Sequence, residues 1–231
     1  GPAAYAINAT QTEVFGANGG WAFGGLALGD LDGDGDLDIV VTGSRNTAAS
    51  RIIAVARNNG GLAFTQLTVD AGSGLQDGSP ALGDFDNDGD LDLAVAGLDP
   101  AGQRQLRVYE NNGDATFDAN QIEVNGAANN GYAANARVAW GDYNNDGDLD
   151  LVVEGQNAAG RQIHLYRNIG SGAFNTAAVD VTAGGGGLSD GDVAWGDLNG
   201  DALLDVVAMG FDGTNSQLRV YRNNGNDTFT T

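Results

Sequence analysis

Cysteine and lysine are both absent from this chain of 231 residues, which also has a single histidine, a single methionine and three prolines. Without cysteine, neither disulfides nor thiolate chemistry is available. The lone histidine, His164, sits inside the strand-like segment Ile163-His164-Leu165-Tyr166, where a structural role is expected, and no Ser/His/Asp set assembles around it. Ten arginines supply all the positive charge against 31 acidic residues, for a net charge of −21. Such a surface repels nucleic acid and anionic membranes, so neither is expected as a partner. No apolar run approaches the roughly 20 residues that cross a bilayer, and no membrane insertion is expected. Gly1-Pro2 resembles a protease-cleavage scar and is set aside; residues 3–231 read as a single domain.

What the chain does have is one acidic loop written four times, each copy running into an apolar segment: GDLDGDGDLDIVV, GDFDNDGDLDLAV, GDYNNDGDLDLVV and GDLNGDALLDVVA. The first copy offers Asp30, Asp32 and Asp34 at alternate positions, a sharp turn at Gly35, the backbone carbonyl of Asp36 and the carboxylate of Asp38. Ca²⁺ takes six to eight oxygen ligands, and glycine at the sixth position permits the turn that points them inward. The second copy supplies Asp84, Asp86, Asp88, Asp90 and Asp92; the third Asp142, Asn144, Asp146, Asp148 and Asp150; the fourth Asp197, Asn199, Asp201, Leu203 and Asp205. Up to four calcium ions are therefore expected. In the fourth copy Ala202 replaces glycine, which marks that site as the weakest or most distorted.

An EF-hand is excluded, because its loop ends on a bidentate Glu at position twelve, where this chain has Val41, Val95, Val153 and Ala208. The segment after each loop is β-branched and without helical period, hence a buried strand. Aspartate and glycine also cluster in ordinary turns. Four copies in register favour metal, as does electrostatics: two carboxylates about 4 Å apart repel by about 4 kcal/mol at an effective dielectric of 20. Four divalent ions would bring the net charge from −21 to −13.

The anchor aspartates Asp30, Asp84, Asp142 and Asp197 are spaced by 54, 58 and 55 residues, a period typical of propellers and other repeat arrays. Each repeat adds an N-x-G turn beginning at Asn58, Asn111, Asn168 or Asn223, with Phe64, Phe117, Phe174 or Phe229 four residues after the glycine. Strand, acidic loop, strand, loop, strand, hairpin, strand is a four-stranded antiparallel meander, and such units repeated radially form a β-propeller. The expected fold is thus all-β, a propeller of four blades per chain, with repeats near 26–79, 80–135, 136–190 and 191–231. Gln11-Thr12-Glu13-Val14 is similar to Gln121-Ile122-Glu123-Val124. Residues 5–16 are therefore expected to supply the strand that closes the last blade, within a monomer or, by exchange, in a strand-swapped homodimer.

The spacing D-x-D-x-D-G-x-x-D before an apolar strand, in a repeat of this length, resembles the FG-GAP/VCBS family of integrin-α-type propeller repeats. The resemblance implies one calcium per blade, bound between the first and second strands. In a meander the calcium loops share a face with the N-x-G hairpins, and variable loops crowd the other. Trp21, Phe23 and Tyr132 fall in those loops and are candidates to stack on a protein or glycan ligand, the alternative being that they pack between blades. Trp140 and Trp195, two residues before their anchor aspartates, read as core. Three functions are compatible with this pattern: a calcium-stabilised adhesion or protein-interaction module that is not an enzyme, which is the leading expectation; a lectin-like propeller; and an accessory or catalytic propeller of a polysaccharide-active enzyme. Loops suited to millimolar calcium imply a secreted or cell-surface setting.

Overall fold

The computed structural model describes residues 14–15, 21–22, 24–45, 51–70, 74–119, 121–124, 131–170 and 172–231. These form four antiparallel sheets in succession along the chain. In the first, β1 (Trp21–Ala22) and β2 (Leu26–Gly29) share one edge of β3 (Asp38–Arg45), followed by β4 (Arg51–Asn58) and β5 (Phe64–Asp70). The second holds β6 (Pro80–Gly83), β7 (Asp92–Leu98), β8 (Arg104–Tyr109) and β9 (Ile122–Glu123). The third holds β10 (Ala133–Gly141), β11 (Asp150–Asn157), β12 (Gly160–Tyr166) and β13 (Val179–Asp180). The fourth holds β14 (Ser189–Gly196), β15 (Asp205–Phe211), β16 (Ser216–Asn223) and β17 (Phe229–Thr230).

Each acidic loop joins the first long strand of its sheet to the second, and the register clamps its two ends: Gly29 pairs Asp38, Gly83 pairs Asp92, Gly141 pairs Asp150 and Gly196 pairs Asp205. The second strands of the second and third sheets, β7 and β11, carry unbroken apolar runs because they are covered on both faces. Leu93 to Ala96 of β7 and Leu151 to Val153 of β11 are completely buried. Three apolar clusters lie between successive sheets, joining Ile53 and Val55 to Leu93 and Val95, Leu106 and Val108 to Leu151 and Val153, and Ile163 and Leu165 to Val193 and Val206.

The expected closed propeller is not what forms. Among the described residues the packing runs from first sheet to second, third and fourth, and no strand of the fourth sheet packs substantially on a strand of the first. Among the described residues strand pairing stays within each of the four sheets, and none links the fourth sheet back to the first to close a ring. The fourth sheet takes its last strand from the C-terminal end of the chain, where Arg222 pairs Thr230 and Asn223 pairs Phe229. Of residues 5–16, expected to complete that sheet, only 14 and 15 are described, and they form a turn.

Between the third and fourth sheets lies Glu154, 1% exposed, with neither carboxylate oxygen hydrogen-bonded to a protein group. Burial pushes it up from the ordinary 4.5 to about 8; the charges of Asp192 and Asp190 add to this and Arg137 opposes it. Because the folded value lies above the unfolded one, the folded state holds the proton more tightly. The associated stability is full below about pH 4.5 and is lost as pH rises towards about 8. Glu154→Gln is expected to flatten the fall in unfolding free energy across that window. A slope by urea denaturation identical to that of the parent would exclude Glu154 as its source.

Candidate metal centres

The loops share one internal scaffold. In the first, both oxygens of Asp30 accept backbone N–H bonds, from Asp34 at 3.2 Å and Gly35 at 3.0 Å, and Asp34 Oδ1 accepts from Asp36 at 2.8 Å. The same bonds recur on Asp84 and Asp88, on Asp142 and Asp146, and on Asp197 and Asp201. The sixth position is left-handed in all four loops: φ is +92° at Gly35, +101° at Gly89, +93° at Gly147 and +69° at Ala202. Ala202 thus keeps the loop shape at a cost in backbone strain that glycine avoids.

The ninth-position aspartates do more than was expected of them. Asp38 is completely buried, with Oδ2 accepting from Leu31 N–H at 2.9 Å and Oδ1 from Asn58 N–H at 2.7 Å. Asp92, Asp150 and Asp205 repeat this with Phe85 and Asn111, Tyr143 and Asn168, and Leu198 and Asn223. Each ties its loop to the N-x-G hairpin of the same sheet. Burial pushes Asp92 and Asp150 up to about 7 despite these backbone bonds, and raises Asp38 as well.

At the third position Asp32 Oδ1 is buried and has no hydrogen-bond partner, an oxygen that a cation would satisfy. Asp30, Asp32 and Asp38 bring carboxylate oxygens within 4.8 Å of one another, as do Asp84, Asp86 and Asp92, and a third set is Asp86, Asp88 and Glu110. These three groups have the arrangement needed to hold a metal ion. In the third and fourth loops the third position is an amide, and Asn144 and Asn199 each donate to the fifth-position aspartate, at 2.8 and 2.9 Å. The seventh-position side chains lie over the hairpin glycines, Asp90 against Gly113 and Leu203 against Gly225. An apolar Leu203 is tolerated there because only the backbone carbonyl would be asked to ligate.

Glu110 was not anticipated, yet the sequence holds its signal in the residue before each N-x-G turn. That residue is Arg57, Glu110, Arg167 and Arg222 in the four repeats. The arginines lean on their own loops, Arg57 on Asp32 at 3.7 Å, Arg167 on Asp146 at 2.9 Å and Arg222 on Asp201 at 3.6 Å. Only the second loop has a further carboxylate there, held above the usual range by partial burial and then by the charges of Asp86, Asp118 and Asp88.

The aromatic candidates divide. Tyr132 is completely buried, its hydroxyl 2.6 Å from His164 Nδ1 and 3.0 Å from the hydroxyl of Tyr166. It packs between sheets with the half-buried His164 beside it, and its ring is not presented to a ligand. Trp21 pairs through its backbone in β1, and Phe23 lies outside the described residues. Trp140 and Trp195 pack on the preceding sheet, as expected.

The FG-GAP-like repeat profile matches residues 30–95 and 84–153, more than half of the chain, and the chain belongs to that family. Comparison with curated protein sequences finds no match. Among solved structures the chain is similar to fructan 1-exohydrolase IIa from Cichorium intybus in complex with 1-kestose. The TM-score is 0.50 and the identity 12%, over 90% of this chain and 46% of the enzyme's. The chain thus spans less than half of that protein, and the likeness is one of fold. It corrects the leading functional expectation. A structure sharing this fold belongs to a hydrolase, so the repeat scaffold gives no ground for classing the chain as a non-enzyme or as an integrin-like adhesion or lectin-like module.

Proposed function

We propose that the acidic loops are calcium sites and that the ions hold the repeat scaffold together. The observation that carries this reading is the unpartnered, buried Asp32 Oδ1 inside a loop whose other oxygens are already aligned by backbone bonds. Ligands would come from Asp30, Asp32, Asp34 and Asp38 with the carbonyl of Asp36, and from the matching residues of the other loops, Asn144 and Asn199 serving through their amide oxygens. Oxygen-only ligation by several carboxylates on an irregular loop suits Ca²⁺ better than Mg²⁺, which keeps its waters and demands a near-octahedral shell. Isothermal titration of calcium into EDTA-treated protein tests the reading, and an absence of binding heat at millimolar calcium refutes it.

The four sites should differ. The second loop, with Glu110 in place of arginine, should bind most tightly. Glu110→Arg replaces an attractive charge with a repulsive one and is expected to weaken that site at least about tenfold, about 1.4 kcal/mol. Ala202→Gly should tighten the fourth site. Equal affinity in Glu110→Arg and parent would remove Glu110 from the ligand shell.

A second reading concerns substrate. We infer that the scaffold serves a polysaccharide-active protein, as its catalytic or accessory part, with the saccharide on the face away from the calcium loops and the protein secreted into calcium-rich surroundings. Its support is the shared fold with a fructan exohydrolase. Incubating calcium-loaded protein with fructan and with acidic polysaccharides, and measuring both reducing ends and retained protein, tests it. If the protein neither cleaves nor binds any of them, the reading fails.

A further inference from the structure

The three contacts between successive sheets follow one plan. The side chain two residues before each anchor aspartate packs on the glycine that ends the first long strand of the preceding sheet. A Cβ at Gly29 would stand 2.7 Å from Leu82, one at Gly83 2.7 Å from Trp140, and one at Gly141 2.6 Å from Trp195. Only glycine leaves room for that approach. The second residue of each loop is then roofed by the next sheet. Asn111 Nδ2 donates to Leu31 O at 2.9 Å, Asn168 Nδ2 to Phe85 O at 2.6 Å and Asn223 Nδ2 to Tyr143 O at 2.9 Å. Between these two features, the third long strand of one sheet buries two apolar side chains against the next sheet: Ile53 and Val55, Leu106 and Val108, Ile163 and Leu165.

In the fourth sheet the trailing half of this contact has no partner among the described residues. Among the described residues, a Cβ at Gly196 would meet only Leu198 of its own loop. Leu198 is 56% exposed, whereas its counterparts Leu31, Phe85 and Tyr143 are at most 2% exposed. Leu218 and Val220, the counterparts of Ile163 and Leu165, are 73% and 46% exposed, and Met209 beside them is exposed as well. A groove of about 150 Å³ runs between Val193, Met209 and Leu218.

The first sheet carries the leading half, likewise without a partner among the described residues. Leu28 stands where Leu82, Trp140 and Trp195 stand, and is 56% exposed. Leu26 and Leu37 are exposed on the same sheet, although Leu91, the counterpart of Leu37, packs towards Gly29. Asn58, the counterpart of the three bridging asparagines, donates from Nδ2 to Leu37 O of its own loop, at 3.4 Å, and to no other sheet among the described residues.

Every copy of the chain therefore presents both halves of a contact that it already makes three times. We propose that the fourth sheet of one copy docks on the first sheet of a second copy, with Leu28 on Gly196 and Asn58 reaching Leu198 O. Two copies reciprocate, so that a head-to-tail dimer forms through two identical contacts with no exchange of strands. A head-to-tail contact either closes or grows into filaments, and closure at two copies leaves neither half exposed. Contiguous apolar faces of this kind are rarely left to water.

Analytical ultracentrifugation of calcium-loaded protein tests the proposal. The expected mass is about twice the chain's 23.5 kDa. Leu218→Arg and Leu28→Arg each sit on an exposed face, so folding is spared, and each alone should give the single-chain mass. Mixed in equal amounts they should pair again, because one intact first sheet meets one intact fourth sheet. A single-chain mass for the parent at all concentrations would overturn the proposal, whether the faces close within one chain or stay free. A parent dimer untouched by either substitution, or assemblies that keep growing with concentration, would overturn it equally.

Discussion

Removal of calcium with EDTA is expected to lower the melting temperature by about 10–20 °C, more than any single substitution on the surface. Binding to the folded state alone contributes about 2.7 kcal/mol per site at a hundredfold excess over Kd, so the first two loops together supply about 5 kcal/mol. For a chain of this size 1 kcal/mol moves the midpoint by about 2–4 °C. The mechanism is local: without the ion, Asp30, Asp32 and Asp38 stand within 4.8 Å of one another with one buried oxygen unpartnered. Differential scanning calorimetry in EDTA, then with calcium or magnesium added back, checks this. Calcium should restore the melt and magnesium should do so much less well, whereas a melt indifferent to EDTA would end the calcium assignment.

The stabilisation should not be shared evenly, because the loops sit at the junctions between sheets. Leu31, Phe85 and Tyr143 are loop residues roofed by the following sheet, so ordering the first three loops also orders three inter-sheet contacts. The fourth loop is roofed by no sheet among the described residues of its own chain, since Leu198 is exposed. Calcium there should add little to the unfolding transition of an isolated copy.

What the sequence revealed was whatever is encoded locally. The acidic loops, the left-handed sixth position, the N-x-G hairpins and the apolar second strands each lie within about a dozen consecutive residues, and side-chain chemistry at that range dictates conformation. The left-handed Ala202 was readable for the same reason. What stayed hidden depends on which segment faces which. Glu110 joins Asp86 and Asp88 only through the pairing of β7 with β8, although the arginines at Arg57, Arg167 and Arg222 made it the odd residue of a column. Tyr132 was a loop aromatic in sequence and became core because Tyr166 and His164 stand across from it. The closed ring failed as an expectation because the end of a sheet array is set by what covers it, and Leu28 and Leu218 read no differently in sequence from Leu82 and Leu106.

The bridging asparagines give the sharpest test of how the sheets cohere. Asn168 is completely buried; its Nδ2 donates to Phe85 O at 2.6 Å in the preceding sheet and to Leu149 O at 3.2 Å in its own, and its Oδ1 accepts from Gly170 N–H at 3.0 Å. Asn168→Ala removes all three bonds, leaves a buried carbonyl unsatisfied and opens a small void, for an expected cost of about 3–4 kcal/mol. Asn168→Asp should cost at least as much, since it cannot donate and brings a second carboxylate beside Asp150, which already accepts from Asn168 N–H. Asn58 offers the internal control, having the hairpin bond to Gly60 and the weak reach to Leu37 O but no bridge to another sheet within its chain. Asn58→Ala is expected to cost about 1 kcal/mol. Both should be measured by urea denaturation in calcium, in the Leu218→Arg background, so that no second copy supplies the missing bridge. Equal costs for Asn58→Ala and Asn168→Ala would mean that the hairpin bond, and not the link between sheets, is what these asparagines contribute.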